Sequence, residues 1–161
     1  MSSRAITRRG AVLALLATGA CGFTPALAPG AATFALRDSV SIAAPDTIPG
    51  FAIRTRLQER LGRATAPAFV LTINLDQALD VAAFSQAGDA LRYNVVGAAG
   101  WRLETADGTT VGQGQVEGFT SYSATGSTVA TQAAATDAIG RLMVILGDMV
   151  VADLMLLDIP Q

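Results

Sequence analysis

The sequence predicts a two-layer α+β sandwich: a four-stranded sheet with both helices on one face, in the order β-α-β-β-β-α. Three observations predict it. From Phe69 to Asp76 the chain alternates, with Phe69, Leu71, Ile73 and Leu75 on one side and Val70, Thr72, Asn74 and Asp76 on the other. Leu91 to Thr105 alternates in the same way and runs into Asp107-Gly108, a hairpin dipeptide. A long C-terminal segment sets an apolar face against a polar stripe at helical period. Elements that are each apolar on one side must bury those sides together, and a sheet with its helices on one face does so.

Taken in order, Phe34, Leu36, Val40 and Ile42 suggest a first strand of about ten residues, broken at Ala44-Pro45-Asp46. Pro49 suits the first turn of a helix, where its missing N–H costs nothing. Ile53, Leu57 and Leu61 recur every fourth residue as that helix's apolar face. Arg56, Arg60 and Arg63 fall on another face, Glu59 stands four before Arg63 as a surface pair, and Gly62 and Pro67 bracket the end. The strand from Phe69 extends to about Phe84, and residues 85–89 read as a turn. In the next strand Tyr93, Val95, Ala99, Trp101 and Leu103 share one face, and Arg92, Asn94, Arg102 and Glu104 the other. Asp107-Gly108 predicts a type I′ turn. The return strand, Thr110 to Ser123, contains Gly112, Gly114 and Gly118, which leave its register weakly specified.

Ser127-Thr128 opens the final helix. Ala134, Asp137 and Asp148 lie near Arg141 on its polar stripe, while Ile139, Leu142, Met143, Leu146, Val150 and Leu157 lie opposite. Asp137 and Arg141 form an i,i+4 pair. Asp153 falls off the stripe and has no partner in the pattern. Charges interrupt the segment too often for a membrane span. The outward sheet face, with Thr72, Asn74, Arg92, Asn94 and Arg102, is left for solvent or a partner.

Composition narrows the function. The chain has 161 residues, 51% hydrophobic and 15% charged, enough for one folded domain. It has no His and a single Cys, and all eleven of its basic residues are Arg. These absences argue against histidine-based catalysis, zinc sites, disulfide frameworks, Schiff-base chemistry and the phosphate-binding lysine loop. A net charge of −2 argues against a nucleic-acid partner.

The N-terminus reads as an address. Arg4, Arg8 and Arg9 precede an apolar run, Ala11 to Ala20. That run is about 15 Å long as a helix, half of a hydrocarbon core of about 30 Å, so it is a signal-peptide core and not a span. Thr7-Arg8-Arg9-Gly10 also resembles a twin-arginine signal, beside the plainer Sec reading. Thr18-Gly19-Ala20-Cys21 resembles a bacterial lipobox, in which Cys21 carries diacylglycerol and an N-acyl chain and starts the mature protein. Gly22, where inner-membrane retention calls for Asp, implies sorting to the outer membrane. The chain thus divides into a signal peptide (1–20), a lipidated linker with Pro25 and Pro29 (21–32), and one α+β domain (33–161). Without the signal peptide, eight Arg face thirteen acids, a net charge of −5.

Cys21-Gly22-Phe23-Thr24-Pro25 is similar to the Cys-Gly-Phe-x-Pro opening of the LPS-assembly lipoprotein family (LptE). The short Arg- and Leu-containing helix from Ile48 to Leu61, the Tyr93 hairpin with its Asp-Gly turn, the Ser121-Tyr122 pair and the Ala-rich long helix look similar as well. The resemblance covers residues 21–158; Pro25-Ala26-Leu27 departs from the family's Pro-Leu-Tyr. It implies a non-enzymatic lipoprotein without cofactor, lipid-anchored at the periplasmic face of the outer membrane. Such a protein plugs and helps assemble the β-barrel lipopolysaccharide (LPS) translocon subunit, LptD, and supports LPS delivery to the surface. The alternative is a periplasm-facing lipoprotein adaptor that binds another envelope protein or glycolipid.

Candidate contacts to glycolipid or barrel are Arg54, Arg56, Arg60 and Arg63 on the helix and Arg92 and Arg102 on the sheet, because Arg forks suit phosphates and carboxylates. The plainer reading of both groups is a solvated face. Tyr93 and Trp101 read as core. An enzyme reading would have Asp76, Asp80 and Asp89 hold a hard metal such as Ca²⁺, but their spacing matches no known loop. Cys21 is the residue whose chemistry is most specific.

Overall fold

The computed structural model describes residues 35–159 apart from Ala87 and Asp89. The signal peptide, Cys21, the linker and Phe34 lie outside the described residues. The elements are β1 (Val40–Ala43), α1 (Ile48–Leu61), β2 (Phe69–Phe84), β3 (Ala90–Thr105), β4 (Thr110–Ser123) and α2 (Thr128–Leu154). The sheet order is β1-β2-β3-β4, with β1 parallel to β2 and the other neighbours antiparallel. A parallel pair needs a crossover, and α1 supplies it. Both helices lie on the face predicted for them: α2 packs on β3 and β4, and α1 packs on α2 and β1.

Local chemistry sets the helix starts. Thr47 Oγ1 accepts the Gly50 N–H at 3.1 Å with Pro49 in the first turn of α1, and Ser127 Oγ accepts the Ala130 N–H at 3.3 Å at the start of α2. Ile53, Leu57 and Leu61 of α1 are buried against Leu142, Met143, Leu146, Val150, Val151 and Leu154 of α2 and against Leu71, Ile73, Val95, Ala99, Trp101 and Leu103 of the sheet. Each fully buried Leu or Ile contributes about 1.5–3 kcal/mol over its exposed state.

The glycines of β4 do not loosen it. A Cβ at Gly112 would lie 2.7 Å from Leu157, one at Gly114 2.8 Å from the Trp101 ring, and one at Gly118 3.4 Å from Ile145. Gly112 and Gly114 each make room for a side chain lying across the strand, while Gly118 lies at ordinary contact distance, so packing fixes the register that the sequence leaves weak. Trp101 lies over Gly114, is 6% exposed, and donates its Nε1–H to Asp153 Oδ2 at 3.2 Å. Asp153 therefore has its partner on the sheet. Thr120, also buried, donates its hydroxyl to the Ala138 carbonyl of α2 at 2.8 Å. Tyr93 is half-buried and stacks on Tyr122 with ring centroids 5.4 Å apart.

Four expectations need correction. The first strand has four residues, not about ten. Asp38 takes a positive φ of 55° and donates its N–H to the Leu61 carbonyl at 2.7 Å, so a turn stands where strand was expected. Leu36 precedes that turn in a helical conformation and is buried in the core, which gives its spacing the look of a strand. The β3–β4 hairpin is not type I′, which needs two positive-φ residues. Only Gly108 has one, the Gly108 N–H donates to the Thr105 carbonyl at 2.9 Å, and the Thr105 N–H donates to the Thr109 carbonyl at 2.9 Å. This is the three-residue form, a turn closed by a left-handed glycine and a bulge. The Thr105 hydroxyl and the Thr109 N–H hold the Asp107 carboxyl below its ordinary range.

Glu59 pairs with Arg56 at 3.1 Å and not with Arg63, because α1 ends before Gly62 and Arg63 lies past the last turn. Leu157, expected on the apolar face of α2, lies beyond the end of that helix, although it packs on the core as expected. The Asp137–Arg141 pair is present.

Gly114→Ala is expected to push the Trp101 ring off β4 and weaken its bond to Asp153, at a cost of about 1–3 kcal/mol. Trp101 is the chain's single Trp, so a lowered melting temperature with shifted intrinsic fluorescence is the check; an unshifted spectrum would contradict this packing.

Candidate functional site

Among the described residues, nothing covers the face of the sheet opposite the helix layer. Pleating sends alternate residues there: Asn74, Asp76, Ala78 and Asp80 from β2, Asn94, Val96, Ala98 and Arg102 from β3, and Gln113, Gln115, Glu117 and Phe119 from β4. Two shallow depressions lie on this face. One, of about 400 Å³, is lined by Asn74, Gly100, Arg102, Gln113 and Gln115. The other, of about 430 Å³, has Ala78, Val96 and Ala98 in its lining with Asp76, Glu117 and Phe119. Small residues keep both open. Phe119 is 64% exposed and, with Ala78, Val96 and Ala98, makes this second depression largely apolar.

The first depression is rich in carboxamides, each able to donate and accept hydrogen bonds, beside one guanidinium. Arg102 lies 4.0 Å from Glu104, a loose exposed pair that leaves it available. Gln115 donates to Glu117 at 2.9 Å. Such a surface suits a hydrated polar partner: sugar hydroxyls, phosphates or a polar protein wall.

The six candidate Arg residues are not brought together. Arg92 and Arg102 share the outer face, but ten residues of strand separate them, about 34 Å. The four on α1 belong to the opposite layer. Arg54 Nη2 donates to the Ala44 carbonyl at 2.9 Å, tying α1 to the end of β1. Arg56 grips Asp148 of α2 with two bonds, Nε to Oδ1 at 3.1 Å and Nη2 to Oδ2 at 2.8 Å. Arg60 approaches the same carboxylate at 3.7 Å. Arg63 reaches Gln58 at 3.5 Å. Arg56 and Arg60 thus dock α1 on α2, and Asp148 serves that contact and not the stripe around Arg141.

Asp76 and Asp80 stand four residues apart on one strand face, about 13 Å, too far to share one ion; Asp89 lies outside the described residues. Gln113, Gln115, Glu117 and Phe119 belong to the outer face but were not singled out from sequence. Their signal is the alternation itself, which Gly114 and Gly118 conceal by leaving Val116 as the one apolar residue between them.

The class defined by this geometry is an α+β sandwich with a mixed four-stranded sheet, closed by two helices on one face and, among the described residues, open on the other. Solved structures of this fold include a protein from Caulobacter crescentus CB15 described as a lipoprotein, with a TM-score of 0.63 at 20% identity over 76% of this chain and 92% of that one. Rare lipoprotein B from Shewanella oneidensis matches with a TM-score of 0.56 at 11% identity over 71% and 92% of the two chains. A minor lipoprotein from Acinetobacter baumannii gives 0.54 at 15% identity over 76% and 97%. At these identities the likeness is one of fold. No protein-family model matches the sequence, and comparison with curated proteins finds no match.

Asp148 makes a pH prediction. The bonds from Arg56 hold its carboxyl below the usual range, and the same bonds raise Arg56. A carboxyl lowered on folding stabilises the folded state above its unfolded value of about 4, and that contribution is lost as pH falls through the lowered folded value. Asp148→Asn is expected to reduce stability at neutral pH and to flatten the acid-side decline below about pH 4. Urea melts across the acid range check this, and an unchanged profile would show that the contact contributes nothing.

Proposed function

We propose that this protein is an outer-membrane lipoprotein, anchored through acylated Cys21 at the periplasmic face, that plugs and helps assemble the β-barrel LPS translocon. Its role is binding and not catalysis. The observation that supports this best is the fold itself, which matches proteins described as lipoproteins over more than nine-tenths of their length. The lipobox ending in Cys21 and the resemblance to the LPS-assembly lipoproteins point the same way.

The physical argument runs through shape and anchor. Two or more acyl chains hold a protein stably at about 0.8 kcal/mol per buried CH₂. Cys21 lies fourteen residues before Ala35, so covalent geometry keeps the sandwich within about 50 Å of the lipid. A domain of this size has a radius of gyration of about 14 Å. Barrels of 16–18 strands leave only a channel, whereas those of about 22 can hold a plug, so the partner must be a large barrel. Barrel interiors are polar. The uncovered sheet face, with Asn74, Arg102, Gln113 and Gln115, offers the donors and acceptors such a wall requires.

Affinity purification from detergent-solubilised outer membranes is expected to yield a stable 1:1 complex with one large barrel protein. Recovery of the lipoprotein alone would overturn this reading. Cys21→Ala is expected to leave an unacylated precursor absent from the membrane fraction; unchanged fractionation would refute the anchor.

A further inference from the structure

β1 covers very little of its neighbour. It pairs with β2 only from Phe69 to Thr72, while β3 lines the other edge of β2 from Phe69 to Phe84. Among the described residues no backbone group pairs with the β1-side edge of β2 beyond Thr72. Alternate residues of the twelve from Ile73 to Phe84 therefore present a row of N–H and C=O groups unpaired among the described residues. α1 does not roof this stretch, since it packs on α2 and β1. Folded proteins protect such edges with charged side chains, Pro or bulges, and the charges here, Asp76 and Asp80, stand on the outer side alone. This one has no Lys or Pro, and its register shifts come only between Val81 and Phe84.

The two sides of the edge differ in chemistry. On the helix side, Leu79 is 55% exposed and Val81 41% exposed. On the outer side, Asp76 and Asp80 are exposed, and Glu117 lines the same depression as Asp76. A strand added here would set one row of side chains beside Leu79 and Val81 and the alternate row beside Asp76 and Asp80. Charge then selects the occupant. Residues 22–34 contain no Arg or Lys. A second copy would bring either the same two Asp of β2 or the edge of β4, which carries Glu117 and no Arg. Each of these leaves the acids uncompensated. We propose that the open edge of β2 accepts, as a fifth strand, an extended segment of another protein whose side chains alternate basic and apolar. The inference concerns the edge and stands without the translocon reading.

The test uses the full-length protein in detergent and a short synthetic peptide of alternating Arg and Val. Amide hydrogen exchange is expected to slow at alternate residues between Ile73 and Phe84 when the peptide binds. Asp76→Lys combined with Asp80→Lys, both at exposed positions, is expected to weaken this peptide by about ten-fold and to favour a Glu-Val peptide, because two cross-strand attractions become repulsions. Absence of binding overturns the proposal, as does binding without edge protection or binding indifferent to the charge reversal. If the same amides are already protected without peptide, the edge is closed by this chain's own N-terminal segment or by a second copy, and the proposal fails.

Discussion

The fold depends on α2 lying flat across β3 and β4. That contact needs a sheet smooth enough to receive a helix: a Cβ at Gly97 of β3 would lie 2.9 Å from Leu142, and Gly118 of β4 lies in ordinary contact with Ile145, while Gly112 and Gly114 make room for Leu157 and the Trp101 ring. Leu142 and Ile145 of α2, Leu157 beyond it, and the Trp101 ring fill the space the glycines leave. Close packing of this kind is directional only where polar groups lock it. Thr120 to Ala138 and Trp101 to Asp153 are those locks, one toward each end of the helix contact. Without α2 in place, α1 loses its main neighbour and the Arg56–Asp148 clamp its acid.

One consequence is a molecule with two unlike faces. The apolar burial and the interhelical ion pairs lie in the helix layer, where Arg54, Arg56 and Arg60 already have protein partners. The sheet's other face keeps carboxamides, a loosely paired Arg102 and an exposed Phe119. A stiff sheet backed by helices can present such side chains without the entropy cost of ordering a loop. The short β1 adds a second asymmetry: among the described residues, one side of β2 is open beyond Thr72.

Much of the fold was legible because its elements are each apolar on one side. Alternation placed β2, β3 and β4 to within a residue or so, and the period of α2 identified its buried face. What escaped the sequence is tertiary. Leu36 has strand-like spacing, yet nothing local shows that Asp38 turns left-handed to meet the Leu61 carbonyl. Asp148 sits where a helical wheel gives it to Arg141, and only the docking of α1 reveals Arg56 as its partner. Asp153 had no partner in sequence because Trp101 lies in another element. The outer face of β4 was hidden because Gly114 and Gly118 leave Val116 as the one apolar residue between its members. As for the site, Arg92 and Arg102 were placed correctly on the outward face, but the four α1 cations belong to the other layer.

We propose that the outer sheet face rests against the wall of a large outer-membrane barrel, with the chain anchored through acylated Cys21. The most direct measurement is photocrosslinking in living cells from a reactive residue at Gln113, with one at exposed Ala152 on α2 for comparison. The account predicts an adduct from Gln113 to a single barrel protein. No adduct from Gln113, or a barrel adduct from Ala152 alone, would contradict it.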